Sequence, residues 1–140
     1  MITKTKAISY IVRDIKGYNE LLVFDHEDQF PDAGTQVVGG TVEATEDILS
    51  ALLREIFEES GLVLNQSDFQ KIGETTYQRK DRPEINHRHY YLCKKNDLPE
   101  TWEHTVVSDG EDNGMIFTFF WLSFDEARQH LTGNFGELLP

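Results

Sequence analysis

Glu55, Glu58 and Glu59 stand at the spacing most suggestive of chemistry in this sequence. On an α-helix, residues three and four apart lie side by side. The three side chains would then form one compact patch of negative charge. Left bare, such a patch costs like-charge repulsion and raises at least one pKa. Mg²⁺ or Mn²⁺ would relieve it. Magnesium takes a few carboxylates, keeps several waters and is completed by phosphate oxygens. A bound ion also neutralises phosphate charge, orients the group and makes water a better nucleophile. The plain alternative is a solvated acidic helix face, which is what a Glu-Glu pair alone usually is.

The patch needs a helix to carry it. Residues Asp47 to Ser60 supply one, with Asp47 as a plausible N-cap and Gly61 at the C′ position. At about 100° per residue, Leu49, Leu52, Leu53, Ile56 and Phe57 share an apolar sector, and the glutamates fall on another, Glu59 near the boundary. Gly39 and Gly40 precede the loop into this helix and permit close backbone approach.

Around it, Ala7–Val12 and Leu21–Phe24 read as strands joined by the turn residues Gly17-Tyr18-Asn19. Asp25 to Asp32 reads as a polar loop and Thr35–Val38 as a short strand running into Gly39-Gly40. Phe69–Tyr77 and His87–Lys94 read as strands, separated by the basic stretch Gln78–Pro83. Pro99–Gly114 reads as an acidic loop with a short strand at Thr105–Val107. Met115–Leu122 reads as an aromatic strand, and Ser123-Phe124-Asp125-Glu126 as a capping box opening a helix that ends near Gly133. Strands and helices mix without strict alternation, which argues for a mixed sheet with helices on its faces.

The 140 residues favour one domain, 1–140, with one core. The net charge of −12 opposes binding of a long nucleic acid, and would repel a small phosphorylated substrate too unless a divalent cation mediates. The bland reading of the charge is solubility. No apolar run is long enough to span a bilayer, and no apolar h-region follows the first six residues, so no secretory signal is expected. Cys93 is the single cysteine, which precludes an intrachain disulfide and fits a reduced, cytoplasmic setting. The sequon at Asn65-Gln66-Ser67 is then incidental.

The segment from Gly40 through Glu46 to Arg54-Glu55-Ile56-Phe57-Glu58-Glu59-Ser60-Gly61-Leu62 resembles the signature of the Nudix family, MutT-like enzymes. That signature has a glycine, a spaced glutamate, then Arg-Glu-apolar-x-Glu-Glu-x-Gly-apolar, and every fixed position is filled. The flanks fit too: a hairpin before the box, a Phe-Trp strand and a helix after it. The resemblance implies an α/β (α+β) fold, a Nudix-type α/β/α sandwich with a mixed β-sheet. It implies Mg²⁺- or Mn²⁺-dependent hydrolysis of a diphosphate linkage in a nucleoside diphosphate derivative. A different class of reading is a non-catalytic Nudix domain acting as a nucleotide-binding sensor; the intact glutamates favour the enzyme.

By the same resemblance, Glu58 and Glu59 are metal ligands, and Glu55 is a ligand or helps to activate water. Arg54 orients the carboxylates, the alternative being an ordinary surface pair. Gly39 would offer its carbonyl to the metal, or simply make a turn, and Glu46 would support the loop. A further acid from a later loop often completes such sites, and Glu111 is the choice here, with Glu100 and Glu103 as rivals and a solvated turn as the alternative. Among Arg79, Lys80, Arg82, His87, Arg88 and His89, we expect Arg79 and Arg82 to grip phosphate, unless the hairpin is merely exposed. Tyr77, Tyr90 and Trp102 could stack on a base but such residues more often pack; Tyr77 is the choice. The expected partner is a small nucleotide-type molecule, with no membrane and no long nucleic acid; a homodimer is compatible with the sequence. The proline of ADP-ribose enzymes is lacking near Tyr77-Gln78, the tyrosine placement of dinucleoside-polyphosphate enzymes is off register, and the coenzyme A pattern is missing. Nucleoside triphosphates remain as the default.

Overall fold

The computed structural model describes residues 1–27 and 33–140. Most of the polar loop expected from Asp25 to Asp32 lies outside these residues. Its described part leaves the second strand at Asp25.

A mixed sheet of seven strands carries the molecule. Strands β1 (Ile2–Ile15) and β2 (Tyr18–Asp25) form the expected hairpin, both longer than their apolar centres. Lys16 and Gly17 take positive φ at its tip, where glycine meets no steric cost. Strands β4 (Phe69–Gln78), β5 (Glu84–Lys94), β6 (Trp102–Thr105) and β7 (Ile116–Ser123) complete the path β4-β5-β1-β2-β7-β6. Among the strands of the described residues, β1 and β5 pair in parallel, from Ile2↔Glu84 to Val12↔Lys94, and the other strand pairs are antiparallel.

The short strand β3 (Gly39–Thr41) shares one edge of β1 with β2: β1 pairs with β3 at residues 6–8 and with β2 at residues 12–15. The strand expected at Thr35–Val38 is not there. Thr35 and Gln36 make isolated bridges, to Leu131 and Phe24. Ser9 donates to the Val38 carbonyl from both its backbone N–H (2.9 Å) and its hydroxyl (2.8 Å). Regular pairing therefore begins one residue later, at Gly39.

Helix α1 (Ile48–Ser60) packs on one face of the sheet and α2 (Phe124–His130) on the other. The inward alternation of β1 explains this. Ala7 and Ile11 join Leu52, Ile56 and Phe119 beneath α1, while Ile8, Tyr10 and Val12 join Val23, Tyr90 and Ala127 beneath α2. Both caps read from sequence are formed. Asp47 accepts from the Ser50 N–H at 2.8 Å, and Gly61 adopts the left-handed conformation at φ +79°. Ser123 and Glu126 close their capping box. Helix α2 ends at His130, short of Gly133, where Leu131 turns extended to bridge Thr35.

Two local expectations fail for stated reasons. Phe57 is 58% exposed. The buried face of α1 is centred on Leu52, Ile56 and Glu59, and Phe57 lies about 100° around the helix from Ile56, beyond the contact. The strand expected at Thr105–Val107 instead occupies Trp102–Thr105, because Trp102 and His104 are the partly buried side chains that alternate against β7.

Candidate active site

The shared edge of β1 places two glycines directly beneath α1. A β-carbon on Gly40 would lie 2.2–2.5 Å from the Glu55 carboxylate, and one on Gly39 would lie 2.5 Å from the Ala7 carbonyl oxygen. At Gly39 the obstacle is backbone and cannot yield, so glycine is what allows β3 to pair closely with β1; at Gly40 it is the end of a side chain, and a β-carbon would have to push the Glu55 carboxylate aside. The Gly39 N–H donates to Glu59 Oε1 at 3.3 Å.

Arg54 organises the outer carboxylates. Its guanidinium meets Glu46 through two hydrogen bonds, 2.6 Å from Nε and 2.8 Å from Nη2. Nη2 also donates to the Thr41 carbonyl at 3.1 Å. That fixes Nη1, which donates to both Glu55 and Glu58 at 3.1 Å. Glu46 in turn accepts from the Glu43 N–H at 3.1 Å. One cation thus ties the loop after β3 to the helix, and Arg54 holds Glu46 below the usual carboxylate range.

The inner carboxylates lie in a less favourable field. Burial, with help from Glu58 and Asp112, pushes Glu55 up to about 7 despite Arg54. Burial also raises Glu58. Glu59 is only 5% exposed and is raised furthest, by burial and then by Glu55 and Asp112. The Asp112 side chain comes within hydrogen-bonding reach of Glu59. Among the described residues, no lysine, arginine or histidine pairs with Glu59. A buried cluster of oxygen donors short of positive charge fits a hard divalent cation.

These groups line a cavity of about 950 Å³. Gly39, Arg54, Glu55, Glu58, Glu59 and Glu111 all border it, as do Tyr77, Arg79 and Arg82 from the other wall. Glu100 and Glu103 do not. Glu100 pairs with Arg13 at 2.8 Å, and Glu103 sits on β6.

The basic stretch divides. Arg79, Lys80, Arg82 and Arg88 face the cavity, whereas His87 and His89 point to the opposite face of β5. The three aromatic residues divide too. Tyr77 borders the cavity beneath the Arg88 guanidinium, 4.0 Å from its ring centre. Tyr90 is buried and donates to Glu137 at 2.7 Å. Trp102 stacks on Phe119 and donates to the Ser60 carbonyl at 3.0 Å.

Sequence reasoning missed several cavity residues. Asp112, next to the chosen Glu111, is the loop acid that meets Glu59. Lys4 and Lys6 come from β1, where their even-numbered alternation with Ile8 was the available signal. Lys6 donates to Thr41 Oγ1 at 2.7 Å, and burial depresses its pKa. Phe135 stacks on Arg88 from the C-terminal segment, at 4.2 Å.

A family model described as the NUDIX domain matches residues 3–138. A search of curated proteins returned no match. Among solved structures, the chain is similar to a MutT/nudix family protein from Enterococcus faecalis. That likeness has 17% identity, a TM-score of 0.66, and coverage of 88% of this chain but only 44% of that one. It is similar to the NUDIX domain of Shewanella oneidensis NrtR complexed with ADP ribose (10% identity, TM-score 0.73, covering 99% and 85%). It is also similar to an Ap4A hydrolase of C. elegans (19% identity, TM-score 0.64, covering 99% and 94%).

Proposed function

The chain belongs to the Nudix family, and from that premise we propose that it hydrolyses a diphosphate linkage in a nucleotide derivative with the help of Mg²⁺ or Mn²⁺. The observation that carries this reading is the meeting of Glu55, Glu58, Glu59 and Asp112 at one wall of a cavity whose other wall is cationic.

Glu55, Glu58 and Glu59, with the Gly39 carbonyl, would hold the ion. When bound, it supplies charge neutralisation at the diphosphate and acidification of water. The chain's own groups do the rest. Arg54, clamped by Glu46 and Thr41, holds Glu55 and Glu58 in fixed orientation, so little reorganisation is needed during reaction. Glu55, held by Arg54 at the cavity wall, would be the ligand placed to help activate the attacking water. A loop acid completes the site: Asp112 by its contact with Glu59, or Glu111 by its place in the wall. Arg79, Arg82 and Tyr77 hold the substrate end away from the carboxylates.

The substrate is a small nucleotide-type molecule, with a nucleoside triphosphate as the first choice. The resemblance to structures captured with ADP ribose or named for Ap4A makes those two compounds necessary members of any panel. Incubation of each with Mg²⁺ and with Mn²⁺, followed by chromatography of the nucleotides, tests the proposal. Release of a nucleoside monophosphate or diphosphate that ceases with excess chelator is expected. Tight binding of a nucleotide without any product would replace the enzyme by a sensor.

A further inference from the structure

Glu74, His87 and His89 gather outside the cavity, on the face of β4 and β5 opposite Arg88. The register explains it: Glu74 on β4 lies across from His89 on β5, and His87, two residues earlier, points the same way. Arg88 between the histidines points into the cavity instead. The candidate ligand atoms of the three side chains all fall within 4.8 Å of one another. His87 Nε2 is 2.8 Å from Glu74 Oε1, and His89 Nδ1 is 3.7 Å from Glu74 Oε2. Ligands at about 2.1 Å in a tetrahedral shell stand about 3.4 Å apart. Shifts of an ångström or so would therefore bring these atoms onto one ion.

A cation already occupies the position. The Lys71 ammonium donates to Glu74 Oε2 at 2.7 Å and contacts His89 Nδ1 at 2.9 Å. An ammonium has no acceptor, so Nδ1 must present its lone pair toward the cluster. That is the tautomer a metal ligand requires. His87 Nε2 faces a carboxylate oxygen and donates to it, and would ligate an ion once that proton has passed to solvent or to Nδ1. Lys71 lies before the register shift between residues 71 and 73 in β4, which lets it reach this face. Its side chain is partly exposed, as are those of Glu74 and His87, so the ammonium has room to swing away.

We propose that Glu74, His87 and His89 form a second cation site, selective for a borderline transition-metal ion of the Zn²⁺ class, with Lys71 as the built-in occupant that the ion displaces. Two imidazoles and one carboxylate favour such ions over Mg²⁺, which the oxygen-only cluster on α1 suits. The site would clamp β4, an edge strand of the sheet, to β5, leaving the remaining coordination positions to water.

The test uses untagged full-length protein carrying Glu58→Gln and Glu59→Gln, which cripples the helical cluster, and titrates Zn²⁺ calorimetrically. One saturable Zn²⁺ is expected, with Co²⁺ at the same site giving a visible absorption band and Mg²⁺ failing to compete. His87→Ala, at a partly exposed position that tolerates truncation, should weaken binding at least about tenfold, as should Glu74→Gln. Lys71→Met should tighten binding severalfold, an effect that no merely structural lysine would produce. Lack of saturable binding, or binding indifferent to His87→Ala and Glu74→Gln, overturns the site. Unchanged or weaker binding in Lys71→Met overturns the occupant. Because the helical cluster is disabled throughout, failure here leaves the hydrolase reading intact.

Discussion

The two walls of the cavity solve their electrostatics in opposite ways. On the cationic wall four of the six cations are paired, sharing three carboxylates: Lys4 and Arg79 with Glu84, Arg79 and Arg82 with Asp81, Arg88 with Glu137. On the acidic wall Arg54 serves Glu46, Glu55 and Glu58, and Glu59 and Asp112 face each other with little relief. Six cations against three carboxylates leave the first wall net positive, with most of its charges already engaged. The second is complete only with an added cation. On the proposed function, the difference would assign binding to the first wall and chemistry to the second, where the unfavourable energy is stored.

The sharpest way to break this division is Glu58→Gln. We expect kcat to fall at least about a hundredfold, roughly 2.7 kcal/mol of transition-state stabilisation. The melting temperature should hold or rise, because a repelled carboxylate is removed. A melting temperature that drops together with activity would show that the carboxylate is structural.

The loop acids offer the next largest effect. Asp112→Asn is expected to lower kcat about tenfold, and Glu111→Gln about twofold, since only Asp112 meets Glu59. The reverse ranking, read from steady-state kinetics of both variants, would assign the loop role to Glu111. A smaller effect should come from the other wall. Among the described residues, Lys6 has no acidic partner within salt-bridge distance and donates to Thr41. Lys6→Ala should raise KM about fivefold and leave kcat nearly unchanged, as expected for a residue that binds substrate and transition state alike. If kcat falls instead, the two walls are not functionally separate.

The smallest effect is in stability against pH. Glu55 rises from an ordinary 4.5 to about 7 in the folded protein. A proton on it therefore favours the fold, and this contribution is present below about pH 4.5 and lost as pH rises through 7. Without divalent cations, the melting temperature should decline by a few degrees between pH 5 and 8. The gain on adding Mg²⁺ should grow over the same interval. A gain that shrinks with pH would contradict a carboxylate cluster competing between protons and metal.

Much of the acidic wall was legible because a helix converts spacing into position. Arg54, Glu55, Glu58 and Glu59 needed only the 3.6-residue repeat and their caps to be placed together. The inward roll that buries Glu59 and exposes Phe57 was not legible, since it depends on how α1 seats against β1 and β3. The cationic wall was only half visible. Arg79 and Arg82 stood out as a local concentration, but Lys4 and Lys6 reach the cavity through the parallel pairing of β1 with β5, a contact separated by some eighty residues. The neighbours Glu111 and Asp112 show the limit within a loop, where no repeat decides which of two adjacent acids turns inward.

Gly40 has a bearing on how such a protein could change over generations. The space that a methyl group at this position would fill is the space the Glu55 carboxylate occupies. A single-step exchange to alanine would evict that carboxylate while leaving every acidic residue in the sequence. A descendant could thus lose turnover and keep a nucleotide-shaped cavity, passing from catalyst to reporter without touching the glutamates. Counting carboxylates would misclassify that lineage; the identity of one backbone neighbour would sort it correctly.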